Sequence, residues 1–310
     1  MGGWDAWIGR QTVQNDRLTP ALLHRFRATI DSGETGPLAP QAIHWVLCTP
    51  EASTAQLGVD GHPQRSDSPD SFFPPVPHPR RMWASSKVEF LTPISVDAEI
   101  ERISTIAAIN EKSGSTGSLV FVDVEHETRA DGVLSVSERQ TLVYREAAIL
   151  PSPSGEGQRD LAAPPPSRSG VGILASSAMP TAPTPTPPLE GRGFEEWDFH
   201  RSLVPNEAML FRFSAITFNS HRIHYDAPYA IGEEGYRGLV VHGPLTSSLL
   251  LDLAARQFGA NAVKRFAFRA QSPAFAGEPL HLVGKRAGEA LTLCALNPAG
   301  QVVIAAEGVL

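Results

Sequence analysis

The chain has 310 residues, 42% hydrophobic and 19% charged, with a mean hydropathy of −0.12 and a net charge of −7. That composition suits a soluble globular protein of about two domains, and it excludes wholesale disorder and a fibrous repeat. The acidic balance argues against a general nucleic-acid binder, which needs a basic face. No apolar run reaches the roughly 18–20 residues of a membrane span. Met1-Gly2-Gly3-Trp4-Asp5 has neither the basic flank nor the apolar stretch of a secretory signal, so a cytoplasmic location is expected. Cys48 and Cys294 form no CxxC pattern and read as small buried apolar residues in a reducing compartment.

In chain order, Thr19-Pro20 reads as an N-cap followed by proline in the first turn. Leu22, Leu23, Phe26 and Ile30 then recur at helical spacing until Asp31-Ser32-Gly33 ends the segment. Residues 43–47 form a short apolar piece, and 51–81, rich in Pro, Ser, Asp and Gly, a long loop. Strand sequence is expected from Lys87 to about Ile109 and again around Val120, Val122 and Val124. Asp131-Gly132 turns the chain into a return strand, Leu134 to Tyr144. From Pro151 to Pro188 the proline- and serine-rich composition reads as a linker, residues 151–190, between a unit 1–150 and a unit 191–310. Beyond it, Pro205 to Thr217 leans to helix and 218–242 is a polar, histidine-containing loop. Leu245, Leu249, Leu250 and Leu253 give an apolar helical face that stops near Gly259. Strands are expected at about 263–271, 279–286, 290–296 and 301–308. An apolar helix followed by antiparallel strands, twice over, is an α+β pattern.

Reactive side chains concentrate in the second unit, in Phe218-Asn219-Ser220-His221-Arg222-Ile223-His224-Tyr225-Asp226 and Val240-Val241-His242-Gly243-Pro244. The second segment opens a helix, whose unpaired N–H groups and positive dipole end suit the oxygen of a polarised carbonyl. Gly243 lets a ligand approach that backbone closely. His221 and His224 with Asp226 or His242 also have the chemistry of zinc ligands, and loop spacing does not decide this. Arg222 and Arg237 are candidates for a substrate carboxylate or phosphate, against a plain structural ion pair.

FNSHRIHYD followed by GLVVHGPL resembles the MaoC-like hot-dog hydratase/dehydratase superfamily. The likeness is to its branch of mesaconyl-C4-CoA hydratases and mitochondrial-type 3-hydroxyacyl-thioester dehydratases. Phe211 to Thr217 fits the same pattern. In the first unit, Pro77-His78-Pro79-Arg80-Arg81-Met82-Trp83-Ala84 resembles the degenerate N-terminal half of that branch. The resemblance implies a double hot-dog, two helix-wrapped antiparallel sheets packed as a pseudo-dimer. Chemistry would lie in 191–310, with 1–150 shaping the acyl pocket. It further implies reversible hydration of a 2-enoyl thioester, with CoA as the expected carrier and a short branched dicarboxylic acyl group such as mesaconyl within range. It implies no metal and no cofactor, and exposed sheet edges make a homodimer an expectation.

The family motif Asp-x-Asn-Pro-x-His, set on His224, puts Asn219 at the aspartate, His221 at the asparagine and Arg222 at the proline. Asparagine is no general base. His224 is therefore expected to carry the proton, Asn219 to hold water or a substrate hydroxyl, and Gly243 to donate to the thioester oxygen. His221, Arg222, Tyr225, Arg237 and His242 are the expected substrate-binding set, and His44 and His78 are expected to shape the tunnel. A thioesterase on the same fold commonly needs an acid near the helix start, where Leu245 to Leu251 has none and Asp252 comes two turns late. A non-catalytic acyl-thioester binder is the other alternative, favoured by the missing aspartate.

Overall fold

The computed structural model describes residues 3–66, 68–114, 117–146 and 195–310, so the expected linker, 151–190, lies outside the described residues. In chain order the strands and helices are β1 (Gln11–Arg17), α1 (Pro20–Ile30), β2 (Arg80–Phe90), β3 (Glu99–Gly114), β4 (Gly117–Ala130) and β5 (Val133–Arg145). After the linker come β6 (Phe199–Leu203), α2 (Glu207–Ile216), α3 (Ala227–Gly232), α4 (Gly243–Phe258), β7 (Arg265–Ala270), β8 (Leu280–Ala287), β9 (Ala290–Leu296) and β10 (Val302–Val309). All strand pairs are antiparallel and form one ten-stranded sheet, ordered β1-β3-β4-β5-β2-β7-β10-β9-β8-β6. Read outward from the β2–β7 seam, both halves have the same order. Thus β1 pairs β3 as β6 pairs β8, and β2 pairs β5 as β7 pairs β10.

Local sequence explains the ends of the elements. The Thr19 hydroxyl accepts from the Leu22 N–H, capping α1, and the chain leaves the helix through Asp31 in the left-handed region. Asn206 caps α2 by accepting from the Met209 N–H at 2.9 Å. Asp131 and Gly132, both at positive φ, make the β4–β5 hairpin turn as expected. Every residue of α4 from Leu245 to Ala254 is buried, because the helix runs against β6, β8, β9 and β10. A helix enclosed on all sides can be apolar all round.

Three expectations are corrected. The segment from Lys87 to Ile109 is two strands, not one: β2 begins at Arg80 and the chain turns at 91–98, where Asp97 has φ 67°. Strands β1 and β6 went unread, because they are the two edges of the sheet and alternate exposed polar residues with half-buried ones. The helix at 20–30 is not the counterpart of the one at 245–258. Strand order pairs α1 with α2, and among the described residues the first half has no helix in the place of α4. In its stead residues 31–79 carry only 3-10 turns at Ile43–Val46 and Thr54–Gln56. No helix of the described residues is long and apolar enough to cross a membrane.

Candidate active site

A cavity of about 2160 Å³ opens along the sheet, lined by residues of both halves. The second half contributes Ser214, Asn219, His221, His224, Tyr225, His242, Gly243 and Thr246. The first contributes Asp60, His62, Trp45, Trp83 and the concave face of β3–β5, including Arg102, His126 and Gln140.

His224 ends the 3-10 turn Arg222–His224 and is 7% exposed. Its Nδ1 lies 2.7 Å from the Val240 carbonyl oxygen, which can only accept, so Nδ1 carries the proton and Nε2 is the free lone pair. The His242 ring stacks on it with centres 3.6 Å apart and planes 20° apart, and is itself hydrogen-bonded to the Ser214 hydroxyl at 2.9 Å. Burial, then the charge of neighbouring His221, pushes the His224 imidazole down to about 3; burial and His224 push His242 well below its ordinary value. Both rings therefore rest as neutral bases across the neutral pH range.

His242 is also the N-cap of α4, but with its ring engaged by Ser214 it makes no side-chain cap. The first N–H groups of α4 consequently keep no capping partner at the point where Gly243, Pro244 and Thr246 line the cavity. A Cβ on Gly243 would meet nothing within 4 Å, so the backbone at the helix start is not covered by packed side chains on that side. The helix starts at Gly243, and Pro244 takes its second position.

The Asn219 side-chain oxygen accepts from the His221 N–H at 3.0 Å, while its own N–H binds the Ser214 carbonyl at 2.9 Å. Phe218 before it sits at φ 47°, which turns the chain sharply into the loop. Asn219 thus fixes the direction of His221 and presents its amide NH₂ as the group left for the cavity. Tyr225 lines the rim, half-exposed, its hydroxyl donating to the Ser220 carbonyl at 3.0 Å.

Arg222 and Arg237 do not line the cavity. Arg222 is bound by the Asp226 carboxylate at 2.8 Å and 2.9 Å, donates to the Val59 carbonyl and covers the Tyr229 ring at 4.0 Å. Arg237 is clamped by both oxygens of Glu278 and covers Phe275 at 4.2 Å. The structure places them as ion-pair braces of the loop, because each has a carboxylate within reach that the sequence could not locate. The same pairing removes Asp226 from any metal set with His221 and His224. Asp252 is held by Arg201 at 2.7 Å and Arg256 at 2.6 Å, away from the cavity, so the acid a thioesterase would need is spent. His44 lies behind the wall, 3.5 Å from the buried Glu138 carboxylate, and not on the cavity surface.

Two residues of the site were not legible in the sequence. Residues 58–62 of the first half dock on the histidine loop through their backbone: the Arg222 N–H donates to the Asp60 carbonyl at 2.9 Å and the Ser220 hydroxyl to the Gly61 carbonyl at 2.5 Å. Asp60 Oδ2 accepts from His62 Nδ1 at 3.0 Å and Oδ1 from the His62 N–H at 3.0 Å. The His62 and His221 ring centres are 4.0 Å apart, and those of His221 and His224 5.4 Å. Partial burial pushes the Asp60 carboxyl up, but hydrogen bonding to His62 outweighs it and holds it down at about 2. Burial, then the charge of His62, takes the His221 imidazole down to about 3. Donor atoms of Asp60, His62 and His221 fall within 4.8 Å of one another, yet both Asp60 oxygens already accept from His62. The arrangement is a carboxylate–imidazole pair beside a second imidazole. The only sequence signal was Asp-Gly-His inside a stretch read as loop.

The family model described as "Hydroxyacyl-thioester dehydratase type 2" matches residues 42–169 and 174–276. The mesaconyl-C(4)-CoA hydratase of Chloroflexus aurantiacus is 37% identical over 308 residues, 98% of this chain and 96% of that protein. Among solved structures, a MaoC-like dehydratase from Phytophthora capsici superposes with a TM-score of 0.64 at 15% identity, covering 97% of this chain and 95% of the other. A Mycobacterium tuberculosis protein described as a double hot-dog fold does so with a TM-score of 0.56 at 14% identity, covering 97% and 95%. These two likenesses concern the fold, which is a double hot-dog. The chain belongs to the hydroxyacyl-thioester dehydratase type 2 family, and it is a hydro-lyase that interconverts 2-enoyl and 3-hydroxyacyl thioesters.

Proposed function

We propose that the protein acts on coenzyme A thioesters, and that the acyl group is short and carries a second carboxylate. The observation that carries the chemistry is His224, whose Nδ1–H is fixed on Val240 so that Nε2 is the free base, in one cavity with the uncapped start of α4. The thioester oxygen accepts from the Gly243 N–H, which draws charge from the conjugated double bond and makes C3 electrophilic. Nε2 of His224 takes a proton from water as its oxygen adds to C3, the Asn219 amide holding that water. The electron pair reaches the thioester oxygen as an enolate, and C2 is protonated to complete the addition. Each step reverses for dehydration.

The second carboxylate is supported by the floor of the cavity. Arg102 lines it, donates to the Thr128 hydroxyl at 3.3 Å and to the His44 carbonyl, and makes no ion pair among the described residues. Around it stand Gln14, Ser104, His126 and Gln140, a polar set that suits a carboxylate at this point of a cavity otherwise lined by apolar residues such as Trp45, Trp83 and Leu142. The relative from Chloroflexus, a hydratase of a dicarboxylic thioester by its name, supports the same reading.

The proposed division is 1–150 as a degenerate hot-dog unit, 151–190 as linker and 191–310 as the unit that carries His224, Asn219 and Gly243. The matching strand orders of the two halves support it. A homodimer joined through the open edges β1 or β6, and a cytoplasmic location, complete the proposal. The buried free thiols of Cys48 and Cys294 support the second.

The test follows loss of the conjugated enoyl absorbance with short, long and dicarboxylic 2-enoyl-CoA substrates, and free thiol with a disulfide reagent. Absorbance loss without thiol release, fastest on the dicarboxylic substrate, is expected. Thiol release instead would make the protein a thioesterase, and tight binding without turnover a binder. Arg102→Leu should lower kcat/KM on the dicarboxylic substrate by about 10-fold to 10²-fold, the worth of a hydrogen bond to a charged group. It should leave the monocarboxylic substrates near their original rate.

A further inference from the structure

We propose that His62, held by Asp60, is a second proton-transfer residue of the hydratase site, supplied by the first half of the chain in compensation for the carboxylate that Asn219 lacks. The inference rests on the hydration chemistry proposed above and adds to it a residue outside the histidine loop.

Addition of water across a conjugated double bond needs two proton movements, one off the water and one onto C2. The stretch from Asn219 to His224 contains two neutral imidazoles, His221 and His224, neither hydrogen-bonded to a carboxylate among the described residues, and an asparagine that cannot change its protonation. The loop at 58–62 brings what is missing. Gly61, at φ 86°, lies so close to Ser220 that a Cβ there would stand 1.8 Å from the Ser220 carbonyl oxygen. That contact and the hydrogen bonds of Arg222 and Ser220 to the loop backbone fix Asp60 and His62 against the histidine loop. Both Asp60 oxygens accept from His62, one from its N–H and one from Nδ1, so the carboxylate sets the tautomer and leaves Nε2 as the working nitrogen. Asp60 and His62 both line the same cavity as His224 and Gly243.

In the hydration direction, His224 takes the proton of the attacking water and the His62 imidazolium gives its Nε2 proton to C2 of the enolate. The new bonds are C3–O, C2–H and the His224 Nε2–H; the bonds broken are the water O–H, the His62 Nε2–H and the π bond. The enzyme is then left with the proton on His224, and it returns to His62 through His221, whose ring neighbours both. No proton is gained or lost over the cycle. Asp60 is a positioning residue that fixes the direction and tautomer of the His62 ring. Among the described residues, the other charged or titratable groups set around this cluster include Arg65, Arg81, His221, Arg222, His224, Tyr229 and His242, and an Asp60 variant leaves all of them in place.

The experiment compares the full chain with its His62→Gln, Asp60→Asn and His224→Gln variants on the best 2-enoyl-CoA substrate, with kcat/KM followed from pH 5 to 9 and thermal melts as a check on folding. His62→Gln should fall by about 10²–10⁴ in kcat with little change in KM. Asp60→Asn should fall less in kcat with KM unchanged, and Asp60→Glu should recover part of the loss, because a carboxylate again orients the His62 ring. Imidazole added to a His62→Ala variant should restore part of the rate, which also covers the case in which the glutamine variant folds poorly. The proposal is overturned if His62→Gln stays within threefold of the parent while His224→Gln is dead; the hydratase reading then stands without His62. It is equally overturned if Asp60→Asn keeps the parent's kcat. Loss of activity on chelation that returns with zinc would overturn it in favour of a metal at this cluster. If the parent hydrates no enoyl-CoA, the reading beneath it fails instead.

Discussion

At the scale of single residues, Asn219 separates this site from one that works with a paired aspartate and histidine. Its side-chain oxygen is committed to the His221 N–H at 3.0 Å. Aspartate can keep that bond, so Asn219→Asp should fold and bring a full negative charge beside two imidazoles now held at about 3. The sign follows directly: a nearby carboxylate favours imidazolium, so the pKa of the base rises. Since the base must be neutral to accept a proton, the acid limb of kcat/KM should move to higher pH and enter the range above pH 5. Asn219→Ala should leave the limb in place, slow turnover, and lower stability by about 1 kcal/mol through the lost bond. His224→Ala should lower kcat by roughly 10²–10⁴. An unmoved limb in Asn219→Asp, with near-normal turnover in His224→Ala, would remove both residues from proton transfer. Of the residues placed at the site by sequence, those whose place follows from a local motif, His224, Asn219, Gly243 and His242, line the cavity together. Arg222 and Arg237 do not, because whether an arginine meets a substrate or a carboxylate of its own chain depends on contacts such as Glu278, 41 residues away.

At the scale of elements, two glycines make opposite predictions. Gly243 opens α4 at an ordinary helical φ, and a Cβ there meets nothing within 4 Å. Gly243→Ala should therefore fold with an unchanged or slightly higher Tm, since alanine is the better helix former. Its methyl would stand on that uncovered side of the helix start, and kcat/KM should fall by about 10²-fold, as when an oxyanion donor is lost. Gly61 is the reverse case. A left-handed alanine costs about 1–2 kcal/mol before its contact with Ser220 is relieved, so Gly61→Ala should lose stability and loosen the loop at 58–62 from the histidine loop. Thermal melts beside enoyl-CoA hydration separate the two; a Gly243→Ala variant that melts early would mean the helix start is packed, not open. Helices with caps and strands with hairpin turns were legible because their signals are local: Thr19-Pro20, Asp131-Gly132, the leucine face of α4. The docking of 58–62 was not, since nothing in Asp60-Gly61-His62 says that its backbone meets Ser220, 159 residues on from Gly61.

At the scale of the whole molecule, the first half has no α4 counterpart among the described residues, and residues of β3–β5 line the cavity. The price is a set of histidines that must stay uncharged in the folded chain. His221 and His224 are held at about 3 and His126 at about 4, chiefly by burial, and His44 and His242 are pushed down for the same reason. An imidazole in the unfolded chain titrates near 6.5. Between that pH and the folded value the unfolded state binds the proton and the native state does not, so stability is full above about pH 6.5 and falls as the solution is acidified. Each such group contributes up to about 1.4 kcal/mol per pH unit in that window. The Asp60 carboxyl, held at about 2, adds its own loss only below about pH 4, so the histidines act first. Melts from pH 8 to 4.5 should show a plateau above pH 7 and a steep fall in Tm between pH 6.5 and 4.5. His126→Gln should flatten that fall without touching His224, because His126 meets Ser104 and Gln140 on the floor of the cavity and glutamine can occupy the same partners without a proton to gain. A Tm that is level from pH 7 to 5 would show that these rings reach water and titrate normally, and the neutral His224 that the hydration chemistry requires would lose its physical basis.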